Sequence, residues 1–127
     1  MNKKPSEYIS EFLNFVAEAQ VQHRIYGEEV NNQDKLTQDY LHSLELDDLK
    51  RDERSKIATR LALNRKDRRY YKDRVEEVEP IVEFFEDPQN KKVLDKLKKI
   101  LGDTRRQESY HKDRKYTPRV LKEKKNG

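Results

Sequence analysis

Apolar positions are few along this chain, but they are regularly placed. From Pro5 onward, Ile9, Phe12, Val16, Ala19, His23, Tyr26 and Val30 follow one another in steps of three and four residues. That is a heptad pattern held over three heptads, the mark of a helix with one narrow buried stripe. The polar run Asn31-Asn32-Gln33-Asp34 then predicts an end or a kink. A short second helix is expected over 34–46, with Leu36, Tyr40, Leu41 and Leu44 on one face. Asp47 or Asp48 is placed to cap the helix that follows.

A second heptad register begins at Ile57 and runs through Leu61, Asn64, Arg68, Tyr71, Val75, Val78, Val82 and Phe85. Two of its positions are polar. Pro80 falls inside it and predicts a kink or restart, because proline removes a backbone donor and crowds the preceding turn. A further helix is expected from Asp87-Pro88, with Asp87 as cap and Pro88 at the first helical position. Val93, Leu94, Leu97, Ile100 and Leu101 form its stripe. Gly102 is suited to end it in a left-handed cap, and Asp103 to start another helical stretch to about His111. Tyr116-Thr117-Pro118 should be extended, since the residue before proline avoids the helical region.

The two registers can be laid antiparallel so that the numbers of facing residues add to 94. Ile9 then faces Phe85, Val16 faces Val78, His23 faces Tyr71 and Val30 faces Asn64. Tyr26 would lie over Arg68 in a cation–π contact. The expected fold is all-α: a long antiparallel, coiled-coil-like hairpin, shorter helices completing a small bundle, and a basic C-terminal arm. Residues 1–121 form one helical domain in this reading, and 122–127 a basic tail. An exposed heptad seam would also support a homodimer, with Asn64 and Arg68 restricting register.

Composition narrows the classes. Of 127 residues, 29 are Lys or Arg and 25 are Asp or Glu, while 32% are apolar. Such polarity taken alone leans toward disorder; the heptads argue for a thin-cored bundle instead. No run approaches the roughly 18 apolar residues of a spanning helix. There is no cysteine, which excludes a disulfide scaffold. The start Met-Asn-Lys-Lys-Pro lacks the apolar stretch of a secretory signal, so the cytoplasm is the expected compartment.

Charge is blocked along the chain. Residues 1–48 carry 4 positive and 10 negative side chains, 49–74 carry 11 and 4, 75–90 none and 6, and 91–127 carry 14 and 5. Such alternation suggests oppositely charged segments lying side by side. The densest feature is Arg65-Lys66-Asp67-Arg68-Arg69-Tyr70-Tyr71-Lys72-Asp73-Arg74. On a helix Arg65, Arg69 and Lys72 share a face, and Tyr70 could stack on a base while its neighbours neutralise phosphates. The competing use is pairing with acidic residues of the first helix such as Glu18, Glu28 and Glu29. A second basic–aromatic stretch contains Arg105, Arg106, Tyr110, Lys112, Arg114, Tyr116 and Arg119, a composition suited to a nucleic-acid backbone or a partner groove. It could equally pack on the acidic 75–90 block, whose other candidate partners are the lysines of the helix that follows.

His23, His42 and His111 do not stand at metal-ligand spacing, and no nucleophile elbow or glycine-rich phosphate loop occurs. The expectation is a non-enzymatic protein without cofactor or metal.

The set Asp67-Arg68-Arg69-Tyr70-Tyr71-Lys72-Asp73, Glu79-Pro80-Ile81 and Tyr110-His111…Tyr116-Thr117-Pro118-Arg119 resembles small helical proteins encoded by phages and prophages of Gram-positive bacteria, over about the C-terminal half of the chain. The resemblance implies an inhibitor of host defence, anti-CRISPR proteins included, or an accessory factor of DNA metabolism. The leading expectation is therefore an interaction protein that binds and inhibits a nucleic-acid-processing machine such as a CRISPR effector nuclease. The alternative is a direct DNA- or RNA-binding accessory protein using 65–74 and 105–119. The third reading is a structural coiled-coil module of a virion.

Overall fold

A computed structural model describes residues 2–120. Three helices, α1 (Pro5–Leu46), α2 (Arg51–Glu86) and α3 (Pro88–Lys112), make up the architecture, and no strand occurs among the described residues. The fold is all-α, as the heptads require. The expected tail 122–127 lies outside the described residues.

α1 and α2 form the antiparallel hairpin. Every expected seam position of α2 is buried or half-buried, from Ile57 to Phe85. On α1 the seam does not stop at Val30. It continues in the same three–four steps through Gln33, Thr37, Tyr40 and Leu44, all at least half-buried. The break expected at Asn31–Asp34 is therefore absent, and the two expected helices are one of 42 residues. Gln33 is polar and stands among Asn31, Asn32 and Asp34, which gives this stretch of the seam the look of a linker.

The register also differs from expectation. Phe12 meets Phe85 edge-on at 6.4 Å between ring centroids, and Tyr26 meets Tyr71 at 5.7 Å. Asn64 inserts between Gln33 and Thr37. Facing numbers thus add to 97 or 101 rather than 94, a slip of one to two turns. Polar satisfaction explains it. At 94, Asn64 would oppose Val30 with its amide unpaired. In the observed register Asn64 Nδ2 donates to the Gln33 carbonyl at 2.9 Å and to Gln33 Oε1 at 2.7 Å. Thr37 Oγ1 lies 2.6 Å from Asn64 Oδ1, so the amide, 4% exposed, is fully engaged. The expected Tyr26–Arg68 stack is replaced by Tyr26–Tyr71 and by an Arg68–Asp34 ion pair at 2.5 Å.

The connection at 47–50 is short and extended at both caps. Asp47 serves the end of α1: its N–H donates to the Ser43 carbonyl, and its carboxylate accepts from Ser43 Oγ at 2.8 Å. It does not cap α2, whose N-cap is Lys50 without a side-chain bond; Asp52 and Glu53 in the first turn instead complement the helix dipole. Pro80 is carried inside α2 without ending it. Asp87 caps α3 as expected, accepting from the Gln89 N–H at 2.9 Å. Gly102 does not end α3, because no glycine takes a positive φ among the described residues. Asp103 lies within α3 and pairs with Arg106. Residues 114–118 have no regular structure.

α3 closes over the end of the hairpin where α1 begins. Leu101 is buried, and the Glu108 carboxylate accepts the Ser6 N–H at 3.2 Å. The apolar core (Val16, Ala19, Val82, Phe85 and Leu101) gathers at this end.

Candidate interaction surface

The basic segment 65–74 occupies two sides of α2. Arg65 and Arg69 are exposed on the outer side, with Lys72 half-buried one step further. Arg69 approaches Asp73 of its own helix at 3.7 Å. Arg68 is turned the other way. Its side chain is 18% exposed and paired with Asp34, so it holds the hairpin together instead of facing a partner. The acidic partner on α1 is thus Asp34, not Glu18, Glu28 or Glu29; Glu28 lies 3.6 Å from Arg24 of α1.

Tyr70 is exposed, packs edge-on against Tyr71 at 5.5 Å, and carries the Arg74 guanidinium over its ring at 5.2 Å. Arg74 Nη2 reaches Glu77 at 2.5 Å. The ring's free face, rather than a whole unpartnered side chain, is what Tyr70 offers.

The outer stripe changes sign along the helix. Arg65, Arg69, Lys72, Glu76, Glu79 and Glu83 follow one another at steps of four and three, hence along one face. The cationic half occupies the middle of α2 and the anionic half its C-terminal third.

The second basic stretch lies elsewhere. Arg105 lines a shallow cleft with Ser6, Glu7, Ser10 and Glu11. Arg106 pairs with Asp103. Tyr110 is exposed and stacks with Arg114, whose guanidinium lies 5.4 Å from the ring centroid. Lys112 is the last residue of α3. Tyr116, 82% exposed, and Arg119 project beyond it. Among the described residues this stretch makes no ion pair with the acidic 75–90 block. Glu108 stands beside Ser6 and Tyr71 beside Tyr26. Twenty residues of α1 separate those points, about 30 Å at 1.5 Å per residue. The two basic segments are not brought together.

Hydrogen bonding from Ser6 holds the Glu108 carboxyl below its ordinary pKa, with smaller help from Lys4 and Arg105 and against some desolvation. That carboxylate thereby acts as the missing N-cap of α1, whose own cap residue, Lys4, provides no side-chain bond.

Among the described residues no group of three His, Cys, Asp or Glu is gathered for a metal, and no helix is long and apolar enough to cross a membrane. The open clefts are surface grooves such as the one between Gly27, Val30, Lys72, Val75, Glu76 and Glu79, of about 340 Å³.

These features define a class: a three-helix, all-α protein built on a long antiparallel hairpin, with charged and aromatic side chains displayed on its outer surfaces. No family model, no curated protein and no solved structure matches the chain.

Proposed function

We propose that this is a non-enzymatic interaction protein that docks on a host nucleic-acid-processing machine and blocks it, with a defence nuclease as the target. The reading rests on the outer stripe of α2. Arg65 and Arg69 are exposed on it, and the stripe becomes anionic from Glu76 onward. A partner protein can offer an acidic patch followed by a basic one. A phosphate backbone is anionic throughout, and following this stripe it would run onto Glu76, Glu79 and Glu83. Direct nucleic-acid binding is therefore the second reading. The arm with Arg105, Tyr110, Lys112 and Arg114 supplies a second contact at the far end of the hairpin. The target class comes from the resemblance to phage-encoded helical proteins.

The test is co-elution with a purified RNA-guided nuclease, together with its cleavage rate. The expected result is retention and slowed cleavage, both lost in Arg65→Glu/Arg69→Glu. Retention unchanged in that variant removes this stripe from the contact. A salt-sensitive shift of naked duplex or single strand, without nuclease, would favour the nucleic-acid reading instead.

A further inference from the structure

The hairpin has two long sides, and α3 covers only one. Its contacts with α1 run through Ser6 and Ser10. Continuing around the heptad, Phe15 and Leu36 of α1 fall on the opposite side, as do Leu63 and Phe84 of α2. Leu36 and Leu63 line one groove together, with Asn64 at its floor. All four side chains are 39–56% exposed, and nothing among the described residues covers them.

Their placement is symmetric. Phe15 stands ten residues before Ile25, and Leu36 ten after Tyr26. Leu63 stands ten before Asp73, and Phe84 ten after Arg74. The two midpoints, Ile25–Tyr26 and Asp73–Arg74, lie across from each other in the observed pairing of α1 with α2. One line in the open side, perpendicular to the helices, therefore passes through both. Rotation by 180° about it lays a second copy antiparallel on the first, α1 on α1 and α2 on α2. Phe15 then meets Leu36 of the second copy, and Leu63 meets its Phe84, twice each. A self-complementary patch of this kind is what a closed two-fold dimer needs.

Size is adequate. The side is about 60 Å long and about 20 Å wide, more than the roughly 800 Å² per partner of a stable interface.

We infer that this open side is the interface of an antiparallel homodimer, a four-helix bundle made of two hairpins. Arg65 and Arg69 lie on the other side and stay exposed in both copies, whereas Tyr70, one heptad from Leu63 and two from Phe84, lies in the open side.

The first measurement is mass by light scattering or sedimentation at tens of micromolar. Twice 15.4 kDa is expected for the unaltered chain, and the single mass for Leu63→Glu/Phe84→Glu with helical circular dichroism retained. A monomeric unaltered chain, or a dimer undisturbed in that variant, overturns the interface. If the variant loses its helicity, cysteine pairs decide, since the chain has no cysteine of its own. Phe15→Cys/Leu36→Cys should cross-link between copies on mild oxidation, while neither single cysteine does. Cross-linking by Phe15→Cys alone would mean parallel stacking and overturn the arrangement.

Discussion

Truncating Asn64 to alanine would leave Gln33 Oε1 without its donor, while the Thr37 hydroxyl would keep the Gln33 carbonyl, at 2.9 Å, as acceptor. A buried polar group stripped of its partner costs about 1–3 kcal/mol, so Asn64→Ala should lower the urea midpoint by that measure. Thr37→Val/Asn64→Leu removes both ends of the contact together. Its loss should be smaller than the sum of the single losses, with a coupling of about 0.5–3 kcal/mol in a double-mutant cycle. Strict additivity would mean the polar layer does not act as a unit. Glu108 has a different signature. Its folded pKa lies below the unfolded one, so its contribution is complete above the unfolded value and fades as pH falls through the folded one. Acidification from pH 5 downward should therefore loosen α3 from Ser6, and Glu108→Gln should flatten that acid limb. The check is hydrogen exchange at the start of α1 as a function of pH.

At the scale of elements, α2 was legible because its stripe is mostly apolar and its polar members fall in phase. α1 was legible only to Val30. Gln33 and Thr37 continue the heptad, but their partner is Asn64, some thirty residues away in sequence, and no local pattern shows that a polar seam residue will be satisfied. The register failed for the same reason: apolar matching alone favours 94, while the amide of Asn64 requires the slip. Gly102 looked like a terminator because glycine is common there; in α3 it is an ordinary helical residue. A Cβ at Gly27 or Gly102 would meet nothing within 4 Å. Gly102→Ala should thus stabilise the protein by about 0.5–1 kcal/mol, through helix propensity alone, seen as a raised thermal midpoint. Among the candidate residues, the sequence singled out Arg65, Arg69 and Lys72 from their spacing. Whether Arg68 faced a partner or the seam depended on Asp34, and the symmetric apolar side emerged only once both helices were paired.

At the scale of the whole molecule, the blocked charge pattern becomes spatial. The anionic end of α2 lies where α3, rich in lysine, closes the hairpin, while its cationic middle remains on the outside. The two basic segments, about 30 Å apart along α1, should behave as separate contacts. Reversing Arg65 and Arg69 and reversing Arg105 and Lys112 should then weaken partner retention roughly independently, each losing its own share in competition binding.

The apolar core is confined to one end, and this divides the hairpin into a base and a tip. Val16, Ala19, Val82, Phe85 and Leu101 clamp the base, whereas the half nearest the connection is held chiefly by Thr37, Asn64 and the Arg68–Asp34 pair. Local opening follows the thinnest burial. The two arms of the tip should part and reclose while the base stays shut, giving amide protection that rises steadily from Leu46 back to Phe12 and from Ile57 forward to Phe85.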